Sequence, residues 1–81
     1  MKISTLHSPA NKQLQTWLKT KRIEKGLTLR DLSALTGKHF SIYGKIETGE
    51  RNITVIEYLE LCKAFDADPV EGSVLITKKL N

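Results

Sequence analysis

One cysteine and two prolines in 81 residues remove several possibilities at the outset. Cys62 alone can form no internal disulfide and supplies no thiol set for a structural metal site, which points to a reducing compartment. Pro9 and Pro69 stand near the two ends and bracket the stretch expected to fold. No apolar run approaches the ~20 residues that span a bilayer. The opening MKISTLHSPANK also lacks the apolar core of a signal peptide, so the expectation is a cytoplasmic protein, soluble where it is made and without a membrane partner. Internal repeats and low-complexity tracts are absent.

Catalytic signatures are missing too. There is no phosphate-cradling glycine loop with a lysine and no His/Glu metal pair at helical spacing. His7 and His39 are the only histidines, and no nucleophile has a credible histidine and acid to activate it. A chain this short leaves little room for a pocket. The expectation is a protein that is not an enzyme and holds neither cofactor nor metal.

What is present is a basic surface and helical patterning. Thirteen Lys plus Arg against nine Asp plus Glu give a formal charge of +4 and a pI near 9.4. That balance favours an acidic partner such as nucleic acid, and it also describes an ordinary solvated face. The length suits one domain with one small core.

Along the chain, residues 1–10 read as an N-terminal arm, 11–69 as the folded domain and 70–81 as a tail. From Asn11 to Lys25 the apolar Leu14, Trp17 and Leu18 fall at helical spacing, and Gly26 closes that helix. Trp17 reads as core or as part of a dimer seam. Thr28 is placed to cap a second helix, Leu29 to Leu35, with Asp31 offering its carboxylate to the first-turn amides. Gly37 follows, then a third helix carried by Ile42 or Tyr43 and Ile46 and closed by Gly49. A fourth helix starts from Thr54 as cap and runs through Val55, Ile56, Leu59, Cys62 and Phe65, with Cys62 on its inward stripe. The tail is ambiguous. Asp68, Pro69 and Glu71 suit a helix start, whereas Gly72 and the run VLIT suit an extended segment. Its apolar character points to self-association.

Two short helices joined by a tight glycine-containing turn, inside a basic all-helical domain, describe a helix-turn-helix. The second helix must protrude for its first turns to enter a major groove while its inner face packs on the first. Gly44, inside that helix, has two readings: close backbone approach to DNA, or a local weakness.

The stretch LKTKRIEKGLTLRDLSALTGKHFSIYGKIETGERN resembles the Cro/repressor-type helix-turn-helix domain, also called the xenobiotic-response-element type, found in lambdoid phage repressors and many small bacterial regulators. The resemblance covers about Leu14 to Pro69 and rests on the arginine before GLT, Leu32, Gly37, and Ile46, Glu47, Gly49 and Arg51 in the pattern IExGxR. It implies an all-α, lambda-repressor-like bundle of about five short helices. It also implies a buried ion pair between Arg22 and Glu47, a phosphate contact at Thr28, base reading from Phe40, Ser41 and Lys45, and a backbone-gripping loop at Thr48, Arg51 and Asn52. Lys38 and His39 flank the same helix and join the expected phosphate contacts.

Two positions depart from the family. Leu29 and Phe40 stand where glutamine is frequent; Leu29 cannot hydrogen-bond, and Phe40 can offer only apolar contact, either to a thymine methyl or to the domain itself.

The expected function is a sequence-specific DNA-binding transcriptional regulator, a repressor acting as a homodimer on a palindromic operator. The alternative is an antitoxin that neutralises a toxin protein and autoregulates, or a controller of a restriction-modification operon. Partners are therefore double-stranded DNA, a second copy of the chain and, in the alternative, a toxin.

Overall fold

Each helix begins at a residue whose side chain accepts from a backbone N–H in the first turn. The computed structural model describes residues 8–80, in which α1 spans Pro9–Glu24, α2 Leu29–Thr36, α3 Phe40–Thr48, α4 Val55–Phe65 and α5 Pro69–Thr77. Ser8, Thr28, His39, Thr54 and Asp68 are the five caps, and they accept from Asn11, Asp31, Ser41, Glu57 and Val70 in turn. Such caps satisfy amides that have no partner inside the helix.

The first helix starts two residues before the expected Asn11, because Ser8 caps it and Pro9 fills its first position, where a missing N–H costs nothing. Residues 9 and 10 thus belong to the bundle and not to the arm. Residues 1–7, including His7, lie outside the described residues. Gly37 and Gly49 close α2 and α3 with φ of 78° and 83°, a left-handed conformation that an L side chain resists.

The core gathers Trp17 and Leu18 from α1, Leu32 from α2, Tyr43 and Ile46 from α3, and Leu61, Cys62 and Phe65 from α4. Helix α1 is the common wall, packed on α3, α4 and α5, while α2 lies on α3 and α4. Burial pushes the Cys62 thiol pKa upward, so this cysteine is a small core hydrophobe. Trp17 is likewise inside, which removes it from any external seam.

In the C-terminal half one expectation is corrected and one open alternative is decided. Helix α4 buries Leu61, Cys62 and Phe65, while Val55, Ile56 and Leu59 face outward, Val55 at 74% exposure. Its apolar residues surround it almost completely, so periodicity alone could not choose the inner face. The tail is helix over Pro69–Thr77 and not extended. Gly72 is the reason α5 can dock: a Cβ there would stand 2.5 Å from the Tyr58 hydroxyl and 2.9 Å from the Trp17 ring. The indole Nε1 of Trp17 donates to Glu71 Oε2 at 2.9 Å beside this contact. Among the described residues no helix is long and apolar enough to cross a membrane.

Candidate nucleic-acid interface

One hydroxyl ties α2 to α3 beside the buried contact of Leu32 with Tyr43 and Ile46. Thr36, the last residue of α2, donates to the carbonyl of Leu32 at 2.8 Å and also meets the Tyr43 hydroxyl of α3. With its own proton given to Leu32, the Thr36 oxygen accepts from Tyr43 and from the Lys38 amide. The turn between the helices is residues 37–39, which suits a steep crossing. A second clamp fixes α3 to α1. Arg22 donates through Nε to Glu47 Oε2 at 2.7 Å and through a terminal nitrogen to Oε1 at 3.0 Å. Its remaining terminal nitrogen reaches the Leu27 carbonyl at 2.8 Å, so one guanidinium ties α1, the α1–α2 loop and α3 together.

With Tyr43 and Ile46 buried, the opposite stripe of α3 is Ser41, Lys45 and Thr48, all exposed and spaced along one face. Lys45 makes no ion pair among the described residues. Thr48 donates to the Lys45 carbonyl at 3.3 Å, and Asn52 in the following loop accepts from Asn11. Thr28 is exposed at the start of α2. Its amide and that of Asp31 are consumed by a reciprocal capping box, which leaves the first-turn amides of Leu29 and Arg30 without an intrahelical acceptor. His39 caps α3, its Nδ1 accepting from the Ser41 amide at 3.2 Å and lying 2.8 Å from the Ser41 hydroxyl.

Lys38 and Arg51 are engaged elsewhere. The two terminal nitrogens of Arg51 bind Glu57 Oε1 and Oε2, both at 3.0 Å. Lys38 reaches Glu60 at 3.1 Å and Glu57 at 3.4 Å. Glu57 is 6% exposed and also takes the Thr54 amide at 2.9 Å. Its pKa is held down at about 2, chiefly by Arg51 against the opposing cost of burial, with Thr54 and Lys38 adding to the pull. The two cations expected to face phosphate are thus paired with carboxylates of α4, which hold them against the domain.

Gly44 does not open a path for the backbone, because a Cβ there would point at Leu29 Cδ1 of α2, 3.6 Å away. Phe40 is half-buried and carries more than its own surface. The Arg30 guanidinium carbon lies 4.7 Å from the centre of its ring, and the His39 ring stacks on it at 4.4 Å. Arg30 is the residue that the sequence reading missed. It is an exposed charge on α2, and nothing in the local spacing ties it to the first residue of α3. Among the described residues no group of three or more His, Cys, Asp or Glu side chains could hold a metal ion.

A protruding α3 held by α2 and clamped to α1, with a polar outer stripe and amides open at the start of α2, defines a DNA-binding helix-turn-helix. A family model described as helix-turn-helix matches residues 18–71, and the chain belongs to that family in its Cro/C1-type form, a class of DNA-binding transcriptional regulators. Among solved structures, the restriction-modification controller protein C.AhdI from Aeromonas hydrophila is 32% identical, with a TM-score of 0.69 over 76% of this chain and 94% of that one. The clp gene regulator ClgR from C. glutamicum is 19% identical with a TM-score of 0.74, covering 89% of this chain and 94% of that one, which shows a shared fold. None of the curated proteins matches the sequence.

Proposed function

We propose that this chain binds a palindromic operator as a homodimer and represses transcription by occupying it, in the cytoplasm. The observation that carries the reading is the exposed stripe Ser41, Lys45 and Thr48 on a short helix whose inner face is fixed by Tyr43 and Ile46. A helix so presented enters the major groove with its first turns against base edges. Phe40, Ser41 and Lys45 take the base-facing positions. Thr28, His39, Thr48 and Asn52 take the phosphate positions, aided by the positive end of α2. Lys38 and Arg51 serve by holding the loops on either side of α3.

Pairing is supported by apolar surface that the fold leaves outside: Val55, Ile56 and Leu59 on α4, Val70 and Val74 on α5, and Leu80 beyond it. Exposed apolar side chains concentrated on the last two helices suit an association surface. Two-fold pairing would space the two recognition helices about one DNA turn, ~34 Å, apart. A second reading, control of a restriction-modification operon, is favoured by the 32% identity with C.AhdI.

The test joins light scattering for mass with selection of bound sequences from random duplexes at two salt concentrations. A dimer and a palindromic consensus support the proposal. Equal, steeply salt-dependent binding to every sequence overturns it. Capture of a neighbouring gene product by the α4–α5 face, with no self-association, would favour the antitoxin instead.

A further inference from the structure

We infer that Arg30, carried on the ring of Phe40, reads a guanine in each operator half-site and so supplies the hydrogen bonds to a base that Phe40 cannot make. The inference rests on the DNA-binding reading proposed above and adds to it a residue and a base.

Three arginines occur in the chain, and two have their donor forks committed. Arg22 is spent on Glu47 and the Leu27 carbonyl. Arg51 is spent on Glu57 and the Asn52 carbonyl. Arg30 makes neither a hydrogen bond nor an ion pair among the described residues; what holds it is the face of Phe40, 4.7 Å below its guanidinium carbon. With its guanidinium carbon over the ring and no hydrogen bond or ion pair among the described residues, Arg30 has its N–H donors available. Two such donors, side by side, match the O6 and N7 acceptors that guanine shows in the major groove.

Position decides between this and a plain surface charge. Phe40 is the first residue of α3, the end that approaches base edges, and its ring brings the Arg30 head from α2 to that end. The ring is itself restrained. His39 stacks on it at a 28° interplanar angle, and His39 is fixed in turn by capping Ser41. Phe40 is thus a positioning residue for Arg30. An exposed, unsupported arginine would lose more rotamer freedom on binding; a stacked one is already partly ordered.

Selection from random duplexes with the full chain and four variants tests this. Arg30→Lys keeps the charge and removes the fork. It should lower guanine preference at one position per half-site by about 5- to 150-fold, the discrimination of one bidentate pair, with the salt slope unchanged. Phe40→Leu should weaken the same preference, and Phe40→Tyr, which keeps a ring under the cation, should restore it. Arg30→Ala should lose the preference and flatten the slope. A wild-type consensus that Arg30→Lys leaves intact overturns the role of Arg30 alone. A wild type with no consensus overturns the regulator reading and this inference together. Thermal unfolding by circular dichroism should be unchanged in the Arg30 variants, because the side chain is exposed.

Discussion

The starts of α2 and α4 carry the same device and use it differently. Thr28 with Asp31 and Thr54 with Glu57 are both reciprocal capping boxes, with each threonine accepting at 3.0 Å and each acid reaching back at 2.8 Å and 2.9 Å respectively. Asp31 is exposed and bonds only within its box. Glu57 is buried, grips Arg51 with both oxygens and meets Lys38 as well. A local motif thus fixes a helix start, while its surroundings decide whether the acid also becomes a hub. The open box leaves the α2 terminus accessible to a phosphate; the closed box locks the two loops flanking α3.

The largest way to break this difference is Glu57→Gln, which leaves Arg51 without its anionic partner. Arg51 and Lys38 are about a third exposed, so the cost is that of the lost charge-assisted bonds, and urea unfolding at neutral pH should show a loss of about 3 kcal/mol, the upper end for hydrogen bonds to a charged group. The acid limb of stability follows next. Folded Glu57 stays ionised down to about pH 2, whereas the unfolded chain takes up that proton near 4.5. The contribution is therefore full above 4.5 and is lost as pH falls towards 2, an effect of about 3 kcal/mol for a shift of this size. Unfolding curves between pH 6 and 2 should flatten in Glu57→Gln. Parallel curves for the two proteins would refute the assigned partner.

Thr28→Ala removes an N-cap and should cost about 1 kcal/mol. It should also weaken DNA binding in a mobility-shift titration across all sequences, whereas Thr54→Ala should act on stability with little separate effect on DNA. The smallest change in this series is expected from Asp31→Asn. The Asp31 pKa is lowered by the Thr28 amide and side chain, but the carboxylate is exposed, so the melting temperature should move less than in Glu57→Gln, Thr28→Ala or Thr54→Ala.

Much of this contrast was hidden in the chain order. Thr28, Gly37, Gly49 and Thr54 announce helix ends because capping is local: the side chain and the amides it serves are neighbours in sequence. Ser41 and Lys45 rest on the family resemblance, whereas Thr48, expected in the following loop, is the last residue of α3. The pairing of Lys38 and Arg51 was not legible, because Glu57 and Glu60 lie in another helix and the spacing between them carries no period. Arg30 on Phe40 is concealed in the same way. Helix α4 misled for a different cause: Val55, Ile56, Leu59, Leu61, Cys62 and Phe65 leave no clear polar side, so burial was settled by what α1 and α5 could cover. Gly72 pointed towards an extended tail when read alone, yet in three dimensions it is the notch that admits Trp17 and Tyr58.

That notch also has a practical use. Trp17 is the chain's one tryptophan, and its indole is pressed against Gly72 while hydrogen-bonded to Glu71. Its emission colour is thus a built-in gauge of whether the last helix is seated, readable in solution without any label. Lifting α5 alone should redden that light while α1 to α4 remain folded.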